Sequence, residues 1–211
     1  METADQLIWQ PSLFGAEEPA PDPGFGSLVR VELDEESWLD HAPGWMAGAD
    51  RLFAEIAGGA RWGQRRRRMY DRVVDEPRLT SGWRAGTGEP LDPAPLEAAR
   101  RALSQRYGVA FDSVGINLYR DGSDSVAWHR DRIPVEIDRP VVALLSLGEP
   151  RRFLLRPHGG GISRALMLGS GDLLVTGGQT QRRFDHSVPK VARAGPRMSV
   201  AFRYGVRIYP G

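Results

Sequence analysis

Residues 117–131 have the sequence NLYRDGSDSVAWHRD, in which two short extended segments flank a polar turn. Side chains two positions apart on an extended chain project from the same face, so His129 and Asp131 should point to one side. Trp128 and Arg130 should then point to the other side. An imidazole nitrogen and a carboxylate oxygen on one face supply two ligands of a metal site. Such pairs also arise by chance on protein surfaces, so a third ligand must come from elsewhere in the chain.

Three other histidines are candidates for that ligand, namely His41, His158 and His186. His186 lies in RRFDHSVPK, between the apolar runs DLLVTG and RMSVAFRY, where the chain can return it to the mouth of a barrel. His158, in RPHGGG, is expected to be a solvent-facing turn residue. His41 is expected to be structural or exposed in a mainly helical N-terminal third. Two histidines and one carboxylate form the facial arrangement of non-heme Fe(II) oxygenases.

The apolar pattern around this segment predicts a mainly β protein with supporting N-terminal helices. After Gly108, short apolar or alternating runs follow one another, separated by Gly, Pro or Asp, which is typical of a barrel or sandwich: SVGINLY, DSVAWH, PVVALLSL, RRFLLR, SRALML, DLLVTG and RMSVAFRY. Before it, GADRLFAEI (48–56) and PLEAARRALSQRYG (95–108) have apolar residues at helical spacing. The fold class predicted is therefore α+β, mainly β.

Polar residues on two of the predicted strands favour an anionic ligand inside the barrel. Arg197 and Arg203 are six residues apart on the last strand and therefore share a face. Two buried guanidinium groups are costly unless an anion pairs with them, and a guanidinium matches a carboxylate with two parallel hydrogen bonds. Asn117 and Tyr119 share a face of an earlier strand and can add hydrogen bonds to such a ligand. The alternatives are a salt-bridged edge strand for the arginines and a core position for the tyrosine.

Composition limits the function classes. With 41% hydrophobic and 26% charged residues among 211, the chain has the balance of one globular domain. A net charge of +1 means that any nucleic-acid surface must be local. The absence of cysteine excludes disulfides, thiolate nucleophiles and zinc fingers. No signal peptide and no apolar stretch of membrane-spanning length is visible, so the expectation is a soluble, cytoplasmic protein that acts as a monomer without a membrane.

Three segments together resemble AlkB-type Fe(II)/2-oxoglutarate-dependent dioxygenases, which repair alkylated nucleic-acid bases: NLYRDGSDSVAWHRD, DHSVPK and GPRMSVAFR. The upstream stretch YDRVVDEPRLTSGW is similar to the substrate-lid region of that family. The resemblance runs from about residue 60 to 205. It implies a double-stranded β-helix, or jelly-roll, core at about 110–205 and a lid at about 60–90. The expected organisation is an N-terminal extension, residues 1–40, that is partly mobile, and a single dioxygenase domain, residues 41–211.

The resemblance also implies the roles of individual residues. The catalytic Fe(II) ligands would be His129, Asp131 and His186. The residues that bind the co-substrate 2-oxoglutarate would be Asn117, Tyr119, Arg197, Ser199 and Arg203. Ser199 stands where the family often has asparagine. The family also often carries an acid just after the aspartate ligand, which contacts the flipped base, whereas this chain has Arg132 and Ile133. Glu136 is the nearest acid that could replace it.

Basic and aromatic residues in the lid region indicate a surface for nucleic acid. Arg65, Arg66, Arg67 and Arg68 form a basic run between Trp62 and Tyr70 that could hold phosphates, with Tyr70 as a stacking group. Trp83 is the first candidate for stacking on the flipped base opposite His129. The alternatives are a solvated charged face for the arginine run and a core position for Trp83.

The activity that these observations favour is oxidative demethylation, with O₂ and 2-oxoglutarate, of a 1-methyladenine or 3-methylcytosine type of base in methylated DNA, single- or double-stranded. RNA is an alternative substrate. A 2-oxoglutarate oxygenase that hydroxylates a protein or a small molecule would need the same iron residues, but the arginine run and RLTSGW argue against it. A non-catalytic barrel is a third alternative, which the complete set of two histidines and an aspartate argues against.

Overall fold

The computed structural model describes residues 17–69 and 71–205. Within them the chain forms helices α1 (Ala49–Gly59), α2 (Ala94–Tyr107) and α3 (Thr180–Arg183). The strands are β1 (Ala20–Pro21), β2 (Val29–Glu32), β3 (Ser37–Ala42), β4 (Met46–Ala47), β5 (Arg66–Met69), β6 (Arg72–Asp75), β7 (Leu79–Arg84), β8 (Ser113–Tyr119), β9 (Val126–His129), β10 (Val142–Gly148), β11 (Arg151–Pro157), β12 (Arg164–Leu168), β13 (Leu173–Gly178), β14 (Phe184–Val188) and β15 (Arg197–Arg203).

Two antiparallel sheets form the core. The major sheet has seven strands in the order β2-β3-β13-β10-β15-β8-β7, and the minor sheet has four in the order β12-β11-β14-β9. Neighbouring strands in each sheet are often distant in sequence, so crossover connections as well as hairpins join the strands. The hairpin β5–β6 and the pair β1–β4 lie outside both sheets. This is the mainly β architecture that the sequence predicts.

The major sheet separates two apolar clusters, and strand β15 shows how alternation builds both faces. Its residues Met198, Val200 and Phe202 are buried in the larger cluster together with apolar residues of α1 and α2. Arg197 and Arg203 begin and end the opposite face, which points toward the minor sheet. The smaller cluster fills the space between the two sheets and is formed by residues such as Phe153 on β11 and Leu174 on β13. The functional residues therefore lie on the inner face of the barrel.

Both predicted helices are present. Helix α1 ends at Gly59, and α2 is followed by Gly108, which caps it in the left-handed conformation at φ 66°. Glycine adopts this conformation without the steric cost that a side chain brings, which explains the sharp end of α2. Among the helices of the described residues, none is long and apolar enough to cross a lipid bilayer.

The prediction of a mainly helical N-terminal third is wrong. Strand β3 pairs with β13 from Ser37 to Ala42, and β2 pairs with β3 at the edge of the major sheet. The expected boundary at residue 41 falls inside β3 and therefore does not separate two structural units. Part of the extension that is expected to be partly mobile, residues 1–16, lies outside the described residues. The lid region contributes β7 to the major sheet, so only its β5–β6 hairpin lies outside the two sheets.

Candidate metal centre

Two histidines and one aspartate converge at one end of the barrel. His129 at the end of β9 is the cross-strand partner of His186 on β14, and their ring centroids are 4.2 Å apart. Asp131 follows two residues later, with its Oδ1 3.9 Å from His129 Nε2 and 4.0 Å from His186 Nε2. One ligand atom from each residue lies within 4.8 Å of the others. The three side chains could hold a divalent ion between them.

An irregularity in β9 aims His129 at the centre. Val126 pairs with Val188 and His129 pairs with His186, so β9 has one more residue than β14 between these two pairs. Val126 and His129 therefore both line the same cavity although they are three positions apart. Asp131 lies beyond the end of the strand, which corrects the expectation that it continues the extended segment. The neighbouring Trp128 packs under the Arg156 guanidinium, 4.0 Å from the ring centroid, away from the cavity.

Each of the two histidines presents a ring nitrogen that could bind a metal. His129 Nδ1 lies 2.9 Å from the carbonyl oxygen of Ala127, which can only accept a hydrogen bond. That contact places the proton on Nδ1 and leaves the Nε2 lone pair free for a metal. Burial lowers the pKa of His186 to about 4, although the Asp131 carboxylate opposes the shift. The His186 imidazole is therefore uncharged at pH 7, which is the form that binds metal.

Asp131 is held as a carboxylate by an arginine from the last strand. Its Oδ2 accepts a hydrogen bond of 2.8 Å from Arg203 Nε. Burial raises the pKa of Asp131, whereas the Arg203 guanidinium lowers it, and the resulting pKa is about 2. Because Oδ2 is occupied by Arg203, Oδ1 is the oxygen that faces both histidines. Arg203 thus fixes which carboxylate oxygen is available to a metal.

A cavity of about 310 Å³ opens at this centre and collects most of the residues predicted to bind the co-substrate. Asn117, Tyr119, Ser199 and Arg203 all line it, together with the two histidines and Asp131. The Asn117 amide is oriented by its partners: Oδ1 accepts from Arg78 Nε at 3.1 Å, and Nδ2 donates to Ser199 Oγ at 3.4 Å. Asn117 and Ser199 are cross-strand partners on β8 and β15.

Arg197 is fully buried behind this cavity and lacks partners for most of its charge. It is the cross-strand partner of Tyr119, and its guanidinium carbon lies 5.2 Å from the centre of the tyrosine ring. Its Nε donates to Ser146 Oγ at 3.3 Å, but Nη1 and Nη2 have no hydrogen-bond partner among the described residues. Burial lowers the pKa of Arg197. A buried guanidinium edge with two free nitrogens fits a ligand carboxylate, so these residues suit 2-oxoglutarate.

The structure does not bring Trp83 to the cavity. In the register of β7 and β8, Trp83 pairs with Val114 and lies on the helix-facing side of the major sheet, where it packs against the larger core cluster. Its Nε1 donates to the carbonyl of Glu89 at 2.7 Å. From this position Trp83 does not line the cavity of His129, but it is only partly buried and lines a groove beside that cavity, so its role in stacking on a base stays a prediction.

Only part of the basic run can be placed at the cavity. Arg65 lines it, whereas Arg66 forms an exposed ion pair of 3.1 Å with Asp75 across the β5–β6 hairpin. Arg67 and Arg68 belong to β5, but only their backbone is among the described parts of the structure. Tyr70 is not among the described residues.

The other histidines have different partners. His41 Nε2 lies 3.4 Å from Asp172, and His158 Nδ1 lies 2.9 Å from Asp185, so His186 alone of the three candidates joins His129 and Asp131.

Sequence reasoning missed several residues of the cavity, among them Arg78 and Phe153, and noted Arg132 without a role. Arg78 and Phe153 line the cavity, and Phe153 stacks on the His186 ring at a centroid distance of 5.4 Å. Arg132, noted only where an acid was expected, lines it too. Arg78 precedes β7, and nothing in its local sequence tells which face of the sheet it joins. Only the pairing of β7 with β8 places it against Asn117.

Comparison with known sequences identifies the family. The family described as 2OG-Fe(II) oxygenase superfamily matches residues 57–207. Alpha-ketoglutarate-dependent dioxygenase alkB homolog 3 of Bos taurus and that of Homo sapiens are each 31% identical over 185 residues, which cover 77% of this chain and 62% of the relative. DNA oxidative demethylase ALKBH2 of Arabidopsis thaliana is 35% identical over 120 residues, covering 46% of this chain and 38% of the relative. The chain thus spans less than two thirds of the length of these relatives.

Solved structures share the fold. The structure of OsALKBH1 has a TM-score of 0.57 at 16% identity and covers 83% of this chain and 99% of its own. A prolyl-4-hydroxylase of Pseudomonas putida has a TM-score of 0.51 at 18% identity and covers 78% of this chain and 92% of its own. These likenesses confirm the predicted double-stranded β-helix core.

Proposed function

The chain belongs to the 2OG-Fe(II) oxygenase superfamily and is of the AlkB type, and from this premise we propose that it demethylates N-alkylated bases in DNA and so repairs alkylation damage. Members of the superfamily use Fe(II), 2-oxoglutarate and O₂. The reference substrates are bases of the 1-methyladenine and 3-methylcytosine type. The observation that carries the proposal is the convergence of His129, Asp131 and His186 beside a buried arginine with a free guanidinium edge.

Each residue of the centre has a defined task in this proposal. His129, Asp131 and His186 hold the iron and leave part of its coordination open toward the cavity. Bound iron with 2-oxoglutarate and O₂ supplies the oxidation of the methyl carbon, which yields succinate, carbon dioxide and formaldehyde. Arg203 keeps Asp131 ionised and directs its Oδ1 toward the two histidines. The barrel interior excludes water from the reacting groups.

One carboxylate of the co-substrate would be held by residues of the last strand and its neighbour. Arg197 binds one carboxylate through Nη1 and Nη2, since these nitrogens have no partner among the described residues. Tyr119 lies beside Arg197 and adds its phenol. Asn117, turned by Arg78, contributes at the cavity wall. Burial without compensation would make Arg197 costly, and the co-substrate offsets that cost.

A groove next to the cavity supports nucleic acid as the substrate. The groove is lined by residues that include Arg65, Trp83, Arg84 and Glu89, and it shares Arg65 and Arg203 with the cavity. Neither Arg65 nor Arg84 has a side-chain partner among the described residues. Free guanidinium groups along a groove that leads to a catalytic cavity suit the phosphates of a strand from which one base is extracted. RNA would use the same groove and is the alternative substrate.

The test is formaldehyde release from short oligonucleotides that each carry one methylated base. The panel contains 1-methyladenine, 3-methylcytosine, 1-methylguanine and 3-methylthymine, each in single-stranded DNA, double-stranded DNA and RNA. Formaldehyde and succinate should appear in equal amounts with Fe(II), 2-oxoglutarate and O₂, and DNA should be preferred to RNA. If iron-loaded protein releases no formaldehyde from any oligonucleotide, the proposed function is wrong. Formaldehyde release from RNA alone would mean that the substrate is methylated RNA and not DNA.

A further inference from the structure

The cavity that would receive the base has an unusual balance of charge. Among the described residues, its charged side chains are those of Asp131, which belongs to the metal centre, and of four arginines: Arg65, Arg78, Arg132 and Arg203. Two of the arginines already have acidic partners. Arg203 is bound to Asp131, and Arg78 Nη2 lies 2.6 Å from Glu76 Oε2. Among the described residues, Arg65 and Arg132 have no side-chain partner and are exposed at the mouth.

Loading the site does not reverse this balance. A divalent metal and the dianion of 2-oxoglutarate cancel each other formally, and Asp131 is balanced by Arg203. Arg197 then remains as one more positive charge behind the cavity. Arg65 also lines the adjoining groove, so a phosphate of the bound strand can neutralise it. Arg132 directly follows Asp131 and is thereby held close to the metal centre. A base in the cavity would therefore meet the uncompensated charge of Arg132.

The charged groups of the cavity that remain available for hydrogen bonding are donors. A guanidinium group donates hydrogen bonds and cannot accept them. Both oxygens of Asp131 are committed, Oδ2 to Arg203 and Oδ1 to the metal position. Thr80 and Ser81 add hydroxyl groups on the β7 side. Among the described residues, the cavity wall thus offers no free carboxylate that could accept from an exocyclic amino group of a base.

Alkylated bases fall into two classes with respect to this wall. Methylation at N1 of adenine or N3 of cytosine leaves a cation at neutral pH with an amino group next to the methylated nitrogen. Methylation at N3 of thymine replaces an N–H hydrogen, so the base stays neutral and presents carbonyl oxygens on both sides of the methyl group. Adenine and cytosine are marked by amino donors, whereas thymine is marked by carbonyl acceptors. Like charges repel and carbonyl oxygens accept from arginine.

We propose that the preferred substrate is a neutral, carbonyl-bearing base of the 3-methylthymine type, and that Arg132 is the residue that selects it. The inference rests on the proposed function and changes the expected order of preference among the methylated bases. Arg132 donates to a carbonyl oxygen beside the methylated nitrogen and disfavours cationic bases by repulsion. 1-Methylguanine, which is neutral and has one carbonyl beside the methylated nitrogen, ranks between 3-methylthymine and the two cationic bases.

The first experiment compares kcat/KM for 3-methylthymine and 3-methylcytosine in otherwise identical single-stranded oligonucleotides. The wild-type protein should prefer 3-methylthymine by at least about fivefold, the effect of one like-charge contact at about 4 Å in bulk water. Arg132→Glu should reverse or abolish the preference, and Arg132→Gln should reduce it. A wild-type preference for 3-methylcytosine, or a ratio that Arg132→Glu leaves unchanged, would overturn the inference.

A matched control separates this effect from the loss of charge in general. Arg101 on α2 is exposed, pairs with Glu97, and belongs to a helix on the opposite face of the major sheet from the cavity. Arg101→Gln removes the same charge as Arg132→Gln and should leave the ratio of the two substrates unchanged. An equal change in both variants would mean that overall charge, and not Arg132, sets the preference.

A binding measurement keeps the inference separate from the proposed function. Fluorescence anisotropy without O₂ gives the affinity of the iron- and 2-oxoglutarate-loaded protein for each oligonucleotide. Tighter binding of 3-methylthymine than of 3-methylcytosine by the wild type, with a smaller difference between the two affinities in Arg132→Glu, supports selection by charge. Formaldehyde absent from the whole panel would defeat the proposed function alone, whereas release that favours 3-methylcytosine would defeat only the inference.

Discussion

Arg197 is the residue at which stability and function conflict most directly. Its guanidinium is fully buried, and both terminal nitrogens lack partners among the described residues. An uncompensated buried charge destabilises a fold, and replacement by an apolar residue of similar volume is often neutral or stabilising. Such a residue is explained by a ligand that pairs with it in the working protein.

The variant Arg197→Met should therefore lose co-substrate binding without losing stability. We expect its free energy of unfolding without ligand to equal that of the wild type or exceed it by up to ~3 kcal/mol. Saturating 2-oxoglutarate should stabilise the wild type by about 2.7 kcal/mol at a hundredfold excess over Kd and should leave the variant unchanged. Urea unfolding with and without 2-oxoglutarate measures both quantities.

The surface variant Arg101→Met serves as the control and should keep the stabilisation by 2-oxoglutarate. If Arg197→Met were still stabilised by the co-substrate as much as the wild type, Arg197 would not be its carboxylate partner. A strong loss of stability without ligand would show that the protein itself already compensates the charge.

Among the structural elements, the β5–β6 hairpin offers a matched pair of arginines. Arg65 lines both the cavity and the adjoining groove, whereas its neighbour Arg66 is paired with Asp75 on the exposed side. Arg65→Ala should raise KM for the oligonucleotide and lower the slope of log affinity against log salt by about one. Arg66→Ala should change both quantities less. Equal effects would show that the hairpin acts only through its summed charge.

Helix α2 carries an ion-pair cluster whose effect on stability depends on pH. Hydrogen bonds from Arg100, opposed by burial and assisted by Arg101, lower the pKa of Glu97 from 4.5 to about 2. Because the folded-state pKa lies below the unfolded value, the carboxylate stabilises the fold above about pH 4.5, and this contribution is lost as the pH falls toward 2. The cluster is part-exposed, so screening reduces the contribution to about 1 kcal/mol at pH 7.

The substitution Glu97→Gln tests this assignment through a difference between two pH values. It should lower the free energy of unfolding by about 1 kcal/mol at pH 7 and by much less at pH 3. Chemical denaturation of both proteins at the two pH values gives the comparison. A loss that is the same at pH 7 and pH 3 would mean that packing, and not the charge of Glu97, is responsible.

At the scale of the whole molecule, the sequence predicts what depends on local periodicity. Helix α2 follows from its apolar spacing and from Gly108, and the alternation in β15 places Arg197 and Arg203 on the inner face. The convergence of His129, Asp131 and His186 could also be expected from the sequence. The order of the motifs that contain these residues does not depend on the exact bounds of the strands.

Features that depend on strand pairing were not predictable. The extra residue in β9 is visible only from the pairing of Val126 with Val188 and of His129 with His186. Which face of the major sheet carries Trp83 also depends on register, because a shift of one residue moves a side chain to the other side of a sheet. The joining of β3 to β13 is a contact between distant parts of the chain, which local composition does not encode.

One cavity is expected to bind a metal through His129, Asp131 and His186, and to bind 2-oxoglutarate next to that metal. Anaerobic titration of metal-free protein, followed by isothermal calorimetry, tests it most directly. We expect the wild type to bind one equivalent of Fe(II) and one of 2-oxoglutarate. A folded Asp131→Asn variant should lose tight Fe(II) binding, and Arg197→Met should bind Fe(II) but not 2-oxoglutarate. Wild-type Fe(II) affinity in Asp131→Asn, or no binding of either ligand by the wild type, would contradict this expectation.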